Sequence, residues 1–406
     1  MKSSNVTVKV NNQTVGTLYP VRAGIVFRYA DEWLSSDTAY ELFPQLPLSP
    51  TSYSFKGIGP FTDSAPDRWG RMLLRHADNT RSLSELDYLL GVNDATRQGS
   101  LRFYSDDQPV AGSNGVPTTQ SLPALLNTAD AIDRGEKIPE TALRRLFNAS
   151  GSLGGARPKA SIVDHGQLWM AKFPRSVGDE WDVIGWEAAT LSLLEKADIP
   201  VPPHKLISIT TPSGEPRTIL LTRRFDCVDG KLDGTRIGYM SALTAFGVED
   251  GASADWIDIV DFITNSRPDA KYDLQRLWKT VVFGTAIGNT DNHLRNIGFL
   301  HTQTGWKLSP VFDVNPTPSS SQTRFLTTLL GSDTYTISDL VAPEVLSMFD
   351  IAKPFASKGL SQIKQALESA RSEAYRAKIN SASQELMLPR FQQGADELAE
   401  AQKLVR

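Results

Sequence analysis

The chain has 406 residues, more than one hydrophobic core usually serves, so we expect two or three lobes. Its hydrophobic content of 40% is ordinary for a globular protein, and its net charge of −4 argues against broad nucleic-acid or membrane binding by this chain alone. A single cysteine, Cys227, excludes an internal disulfide framework and fits a reducing compartment. With no signal-like segment and no apolar run of about 20 residues, a cytoplasmic location without membrane contact is expected.

The first hundred residues carry the strand and helix patterns of a small α+β domain. The predicted strands are Val6–Val10, Thr14–Leu18 and Gly24–Ala30, and the predicted helices are Pro66–Ala77 and Leu83–Leu90. Ser82 is the predicted cap of the second helix. A stretch rich in Pro, Gly, Ser and Thr, residues 106–123, follows this domain and is the predicted linker.

The next landmark is a glycine-rich loop, SGSLGGARPKA, at Ser150–Ala160. Its three clustered glycines allow the backbone to approach a ligand and to turn N–H groups inward, which makes a concavity that binds phosphate. It lacks the Gly-Lys-Ser/Thr ending of a Walker A loop. Alone, such a loop is more often a flexible turn, so its setting decides its interpretation.

A β–turn–β pattern follows the loop, with strands at Ala160–Val163 and Gln167–Phe173 around the turn Asp164–Gly166. It places Lys172 in an apolar strand just after the loop, where a kinase keeps its phosphate-binding lysine. A lysine on an exposed strand would be commonplace, but an unpaired ammonium among apolar residues is costly. Lys172 is therefore a candidate phosphate ligand.

An amphipathic helix is predicted at Trp181–Ala197 and is ended by Pro200. Glu187 lies among the apolar positions of this helix, so a partner is expected, and in a kinase that partner is Lys172. The alternative for Glu187 is a solvated helix face. A strand at Ile219–Thr222 then leads into the segment where a nucleotide-binding hinge is expected.

A strongly apolar helix, Leu274–Ile287, precedes a segment with the spacing of a kinase catalytic loop. Asp291 and Asn296 have the D-x-x-x-x-N spacing, and two apolar runs around the turn Thr302–Gly305 predict a hairpin that returns Asp313 beside Asn296. One carboxylate would orient an attacking hydroxyl, while an amide oxygen and a second carboxylate would hold Mg²⁺. Taken alone, such a loop is more often structural, because Asn and Asp favour turns.

The remainder of the chain is predicted to be helical, with amphipathic helices at Ser357–Ala377 and Ser383–Val405 that are broken only at Pro389. The predicted division is a domain at residues 1–105, the linker at 106–123, a lobe with the phosphate loop at 124–225 and a mainly helical lobe at 226–406.

Six segments between about Ser150 and Asp313 resemble, in the same order, those of the HipA family of bacterial toxin kinases. They are GSLGGARPKAS, WMAKFP, WEAATLSLLEKADIPVP, LLTRRFD, GNTDNHLRN and LSPVFDV. The N-terminal hundred residues and the helical tail match in layout rather than in motif. Gly-Asn-Thr stands where ordinary kinases have His-Arg before the catalytic Asp, and Phe-Asp-Val stands where they have Asp-Phe-Gly. Both differences suit the HipA type.

The resemblance implies an α+β class with a bilobal, protein-kinase-like fold, an added N-terminal α+β domain and a helical C-terminal lobe. It implies ATP–Mg²⁺-dependent phosphorylation of serine or threonine, with Asp291 as catalytic base and Asn296 and Asp313 as metal ligands. The residues it implies at the nucleotide are Gly154, Gly155, Ala156, Arg157, Pro158, Lys159, Lys172, Glu187, Arg223, Arg224, Phe225, His293, Phe312 and Asp313. In this family a serine ahead of the loop is autophosphorylated; Ser152 falls there, and Ser150 is a second candidate.

The resemblance also implies partners. These are a helix-turn-helix antitoxin of the HipB type, through which DNA contact is mainly made, and a protein substrate such as an aminoacyl-tRNA synthetase. Three alternatives remain open at this stage. The chain could be a catalytically weak pseudokinase and co-repressor that binds the antitoxin, a small-molecule kinase, or a metal-dependent hydrolase that uses Asp291, His293 and Asp313.

Overall fold

The structure, a computed structural model, describes residues 5–77, 83–111, 115–152, 155, 157–211, 214–321 and 323–405. The helices are α1 (Asp31–Leu34), α2 (Arg68–Ala77), α3 (Glu85–Gly91), α4 (Leu122–Asp133), α5 (Glu140–Ser150), α6 (Val183–Lys196), α7 (Ala242–Phe246), α8 (Trp256–Ser266), α9 (Lys271–Ile287), α10 (Ile337–Leu340), α11 (Pro343–Met348), α12 (Lys353–Glu368), α13 (Ala370–Arg376) and α14 (Ser381–Leu404). The strands are β1 (Val6–Val10), β2 (Gln13–Val21), β3 (Gly24–Tyr29), β4 (Ser52–Lys56), β5 (Leu101–Ser105), β6 (Gln108–Pro109), β7 (Lys159–Asp164), β8 (Gln167–Lys172), β9 (His204–Thr210), β10 (Pro216–Arg223), β11 (Tyr239–Ser241), β12 (Ala254–Asp255), β13 (Gly298–Thr302), β14 (Gly305–Leu308) and β15 (Thr327–Thr328).

The chain divides into two compact units. The first comprises Met1–Gly178 and Ser208–Glu249, and the second comprises Asp179–Ile207 and Asp250–Arg406. Helix α6 lies in the second unit, although the sequence grouped it with the lobe at residues 124–225. The predicted boundaries after residues 105, 123 and 225 remain predictions.

The first unit contains a six-stranded antiparallel sheet in the order β4-β3-β2-β1-β5-β6. The three predicted N-terminal strands are confirmed, and β2 extends beyond its predicted end to Val21. Phe27, Phe61 and Phe103 are buried on one side of the sheet, with ring centroids 5.6 and 6.1 Å apart along the series. Strand β4 was not predicted, although Tyr53 and Phe55 alternate with polar residues in SYSFK and lie half-buried on one face of the strand.

Two local expectations in this unit need correction. Helix α3 is capped by Ser84, whose hydroxyl accepts a hydrogen bond from Asp87 N while the Asp87 carboxylate accepts one from Ser84 N. The predicted cap, Ser82, lies outside the described residues. The predicted linker is also not structureless, since it contributes β6 to the sheet and a 3₁₀ turn at Thr119–Ser121.

The second sheet has the order β7-β8-β10-β9. Strands β7 and β8 form the predicted hairpin, closed by the pair Asp164 and Gln167. The turn residues His165 and Gly166 both have positive φ, 49° and 76°, as two-residue hairpin turns require. Lys172 ends β8, the central strand that pairs with both β7 and β10.

The second unit is built around α9, which is buried over almost its whole length. The predicted helix Leu274–Ile287 is confirmed and begins earlier, at Lys271. Helix α14 approaches α9 at Gly394, where an added Cβ would lie 2.4 Å from Ala286 O. Only glycine fits such an approach, which brings the C-terminal helix against the last turn of α9.

The C-terminal helices differ from their predicted form. The single predicted helix Ser357–Ala377 is wrong, because the chain breaks at Ser369 between α12 and α13. Ser369 has φ −84° and ψ −1°, and no glycine or proline marks the break in the sequence. The predicted interruption at Pro389 is also wrong, since α14 continues through this residue.

None of the helices in the described part of the chain combines the length and the apolar character needed to cross a bilayer.

Candidate active site

The predicted site residues fall in both units, and those of the second unit begin at the end of α9. Gly288 adopts the left-handed conformation, φ 65°, that commonly ends a helix. Asn289 N donates to Gly284 O at 2.8 Å, and the Asn289 side chain is buried. The helix end therefore fixes the start of the predicted catalytic loop.

The loop itself is held by hydrogen bonds around Asp291. His293 N donates to Asp291 O at 3.0 Å, and Asn296 N donates to His293 O at 2.8 Å. Asn296 Nδ2 donates to Asp291 O at 3.1 Å, which orients the amide and leaves Oδ1 as its acceptor end. The Asp291 side chain is exposed, as a residue that meets a substrate hydroxyl must be.

The hairpin that follows the loop has the predicted form. Strands β13 and β14 pair antiparallel and close at Thr302 and Gly305, and Ser309 N donates to Gly298 O at 2.8 Å. A small cavity in this unit is lined by residues from both ends of the hairpin, among them Asn296, Phe312 and Val314. The residues on both sides of Asp313 therefore line the same cavity as Asn296.

Asp313 itself has an unusual backbone and an amide neighbour. Its φ is 54°, in the left-handed region that aspartate tolerates better than most residues. Asn315 Nδ2 donates to Asp313 Oδ1 at 3.2 Å, and Asn315 N donates to Asn289 Oδ1 at 3.3 Å. Asn315 Oδ1 is buried and accepts no hydrogen bond from any residue that the structure describes.

Three residues of this region were not predicted from the sequence: Asn289, Asn315 and Arg390. The Arg390 guanidinium is buried and donates to Thr317 O at 3.0 Å and to Pro318 O at 3.3 Å, a few residues beyond Asp313. No short-range pattern could have found these pairs, since 26 and 73 positions separate the partners.

The donor groups of the second unit suit Mg²⁺. Asp313 offers a carboxylate, Asn296 the oxygen of an oriented amide, and Asn315 a buried oxygen that lacks a donor among the described residues. Mg²⁺ is a hard cation that takes oxygen ligands and keeps several of its waters. The residues present therefore fit the ion that the sequence implied.

Helix α6, which carries Glu187, is anchored within the second unit. Asp182 caps it by accepting from Gly185 N at 2.8 Å, and Trp186 Nε1 donates to Ser383 Oγ at 3.0 Å. Glu187 is 1% exposed, so the alternative of a solvated helix face is wrong. Its predicted ion pair with Lys172 stays a prediction.

In the first unit, two buried lysines face each other across a strand pair. Lys159 and Lys172 are direct partners in the antiparallel register of β7 and β8, and each is 3% exposed. Both are positions for which the sequence predicts a place at the phosphates.

The predicted hinge is dominated by a buried ion pair. Arg224 Nε donates to Asp226 Oδ1 at 2.7 Å, and the guanidinium also donates to Thr96 O and Arg97 O. Burial would lower the pKa of Arg224, but the charge and hydrogen bonds of Asp226, with smaller contributions from Cys227 and Tyr239, together raise that pKa. Burial would likewise raise the pKa of Asp226, but the charge and hydrogen bonds of Arg224 lower it.

The backbone of the hinge is partly committed to the sheet. Arg224 N donates to Leu168 O at 2.9 Å, so this N–H does not face a nucleotide. The side chain of Arg224 has a structural role in this unit, because it forms the buried ion pair with Asp226. Arg223 and Phe225, on either side of it, remain the candidate backbone contacts for adenine.

Part of the phosphate loop can be described. Gly155 has φ 114°, a value that glycine adopts without strain, and Pro158 O accepts a hydrogen bond from Phe173 N at 3.0 Å. Arg157 is half-buried beside them. The other predicted loop residues, Gly154 and Ala156, lie outside the described residues.

Both predicted autophosphorylation sites are buried. Ser152 is 3% exposed, and its Oγ accepts a hydrogen bond from Gln98 N at 2.8 Å. Ser150 is 2% exposed, and its hydroxyl donates to Leu146 O and Lys159 O. Either hydroxyl must leave this position before it can accept a phosphoryl group.

Comparison with known proteins defines the class to which this fold and site belong. A family model described as the HipA-like C-terminal domain matches residues 151–384, and one described as the HipA N-terminal domain matches residues 6–103. Because the first alone spans more than half of the chain, the protein belongs to the HipA family. The family resemblance found in the sequence is confirmed.

Individual relatives are more distant. A Sinorhizobium fredii protein named "Putative kinase Y4mE" is 25% identical over 347 residues, covering 76% of this chain and 77% of that protein. HipA in the Shewanella oneidensis MR-1 complex of HipA, HipB and operator DNA superposes with a TM-score of 0.71 at 13% identity, over 97% of each chain. The Helicobacter pylori proinflammatory kinase CtkA gives 0.46 at 14% identity, over 62% of this chain and 93% of that one.

The match to HipA over the whole chain confirms the predicted α+β, kinase-like fold of the HipA type. Family membership and the relative named as a putative kinase support a kinase of the HipA type.

Proposed function

We propose that this protein is an ATP–Mg²⁺-dependent serine/threonine protein kinase that acts as the toxin of a toxin–antitoxin pair. One observation carries the proposal. In the second unit, the Asp291 loop and the segment around Asp313 are joined by a hairpin, and oxygen donors for a hard cation lie along both.

The second-unit residues divide the chemistry between them. Asp291 orients the hydroxyl of the substrate and accepts its proton, as its exposed carboxylate allows. Asn296 and Asp313 hold the metal ion, which neutralises the charge that develops on the phosphates. His293 and Phe312 lie close to the nucleotide.

The first-unit residues bind the nucleotide. Lys172 and Lys159, which are buried partners in the register of β7 and β8, supply positive charge to the phosphates. The loop Gly154–Lys159 covers the phosphates with its N–H groups. Glu187 positions Lys172, and the backbone of Arg223 and Phe225 meets adenine.

The partners follow from the family. HipA of Shewanella oneidensis is named in a complex with HipB and operator DNA, so we propose a HipB-like helix-turn-helix antitoxin here, with DNA contacted mainly through it. We propose that the substrate is a translation-related protein such as an aminoacyl-tRNA synthetase.

Autophosphorylation at Ser152, with Ser150 as the second site, is proposed as self-regulation. A phosphoserine adds about −1.5 to −2 charge at pH 7. At Ser152 that charge would take the place of a hydroxyl that accepts from Gln98 N in a buried position, so the modified segment could not return to it.

The proposal is tested by the change Asp291→Asn. Purified protein is incubated with radiolabelled ATP and Mg²⁺, transfer to bacterial lysate proteins is measured, and Ser150 and Ser152 are mapped by mass spectrometry. We expect transfer to fall by about 10²–10⁴-fold, because a general base contributes that much. Binding of a non-hydrolysable ATP analogue with Mg²⁺ should be unchanged.

The matched control is Asp261→Asn, the same change at an exposed position of α8. It should keep wild-type activity. If the wild-type protein binds nucleotide but transfers no phosphoryl group, the kinase proposal is wrong and the pseudokinase alternative stands. Equal transfer by wild type and Asp291→Asn would remove Asp291 from its role.

A further inference from the structure

The side chain of Asn315 is divided between a satisfied end and an unsatisfied one. Its Nδ2 donates to Asp313 Oδ1 at 3.2 Å, while its Oδ1 is buried without a donor among the described residues. The opposite rotation of the amide would set an oxygen against the carboxylate oxygen of Asp313, which is repulsive. The position of Asp313 therefore fixes which end of the amide remains unsatisfied.

An unsatisfied buried acceptor is expensive. Leaving such a group without its hydrogen bond costs about 1–3 kcal/mol, and native proteins contain few. A leucine at position 315 would avoid this cost. An asparagine with this orientation is explained if a donor arrives at Oδ1 when a ligand is bound.

The backbone gives Asn315 little freedom to avoid the problem. Its N–H donates to Asn289 Oδ1 at 3.3 Å, and Asn289 is itself fixed by the end of α9. Pro316 follows, and a residue before proline is restricted to extended conformations. The backbone of Asn315 is thus restricted, and its amide is held by the hydrogen bond to Asp313, whose own backbone is left-handed.

We propose that Asn315 is a positioning residue for the divalent cation, an inference that rests on the metal role proposed for Asp313. Its Nδ2 orients the Asp313 carboxylate, and its Oδ1 accepts a hydrogen bond from a water bound to the cation. Mg²⁺ retains waters in protein sites, and such waters are strong donors. Outer-sphere partners of this kind orient metal ligands and tune affinity.

Two substitutions separate this role from a structural one. Asn315→Leu removes both polar ends and keeps the number and branching of the side-chain heavy atoms, whereas Asn315→Asp keeps an acceptor oxygen and loses the N–H donor. The probe is Mn²⁺, titrated by electron paramagnetic resonance against protein saturated with a non-hydrolysable ATP analogue. We expect Asn315→Leu to weaken Mn²⁺ binding by about 10–100-fold. Asn315→Asp should weaken Mn²⁺ binding less than Asn315→Leu does, because it keeps the acceptor oxygen although it loses the donor that orients Asp313.

Two further measurements exclude an indirect effect through nucleotide binding or through the substitution itself. Affinity for the nucleotide analogue without metal should be unchanged in both variants, and the exposed change Asn265→Leu on α8 serves as the control for the chemistry of the substitution. Wild-type Mn²⁺ affinity in Asn315→Leu, or equal weakening in both Asn315 variants, would overturn the proposal.

A third variant, Asp313→Asn, keeps the two proposals apart. If it loses Mn²⁺ binding while Asn315→Leu does not, only the role of Asn315 fails. If Asp313→Asn itself binds Mn²⁺ as wild type does, the metal assignment within the proposed function fails.

Discussion

Two polar networks, one in each unit, contrast in how far their groups are satisfied. In the first unit, the Arg224 guanidinium and the Asp226 carboxylate pair with each other, and the guanidinium also donates to backbone oxygens of Thr96 and Arg97. Asp226 further accepts from Gly99 N at 2.8 Å. In the second unit, Asp313 has a left-handed backbone and its neighbour Asn315 keeps an oxygen without a donor among the described residues.

The difference indicates which network needs a ligand to complete its hydrogen bonds. A fully paired network stabilises the fold and gains nothing from a further group, whereas a partly paired one costs free energy until something completes it. The resemblance implies a contact between the backbone of Arg224 and adenine, and the side chain of Arg224 belongs to the first kind. Asn315, which was not predicted from the sequence, belongs to the second.

The largest effect is expected from breaking the satisfied network. Asp226→Asn removes the charge that faces a buried Arg224, and loss of one partner from a buried pair typically costs about 3–5 kcal/mol. We expect that decrease in the free energy of unfolding, measured by urea denaturation.

The double variant Arg224→Met with Asp226→Leu is the control for this loss. Because it leaves no unpaired charge, it should be less destabilised than Asp226→Asn. If Asp226→Asn were as stable as wild type, the network would not have the structural role assigned to it.

A smaller effect is expected from a titratable group on the hairpin that joins Asn296 to Asp313. Burial lowers the pKa of His301 from 6.5 to about 4, so the folded protein disfavours its protonation. Above pH 6.5 the histidine is neutral in both the folded and the unfolded chain, so the shift in its pKa does not change the free energy of unfolding. As the pH falls from 6.5 towards 4, the unfolded chain binds a proton that the folded chain does not, and about 2–3 kcal/mol of stability is lost.

The measurement is the free energy of unfolding of wild type and His301→Phe at several pH values. Phenylalanine keeps an aromatic ring against Trp306 and cannot titrate. The difference between the two proteins should therefore be constant above pH 6.5 and should shift in favour of the variant below it. Parallel curves down to pH 4 would show that burial of His301 is not linked to stability.

Local patterns predicted most of what is local in this molecule. The hairpin between Asn296 and Asp313 follows from two apolar runs around Thr302–Gly305, and the β7–β8 hairpin follows from two strand patterns around the turn Asp164–Gly166. Placement of α6 could not be predicted, because Trp186 is held by Ser383, 197 residues along the chain. The hydrogen bond between Asn289 and Asn315 could not be predicted either, because the two residues are 26 positions apart and belong to no periodic pattern.

The smallest expected change in stability comes from substitutions of Asp313, and two of them distinguish backbone strain at this residue from its role in metal binding. A left-handed backbone costs most residues about 1–2 kcal/mol, but aspartate and asparagine are the non-glycine residues that tolerate it best. Asp313→Ala should therefore lose about 1–2 kcal/mol of stability in urea denaturation, while Asp313→Asn should stay within about 0.5 kcal/mol of wild type. Asparagine also keeps an oxygen that can accept from Asn315 Nδ2. If the second network exists to bind a cation, both variants should lose phosphoryl transfer although only one loses stability. Equal stability of the two variants would mean that the φ of 54° carries no strain, and retained transfer in Asp313→Asn would mean that the carboxylate charge is not needed.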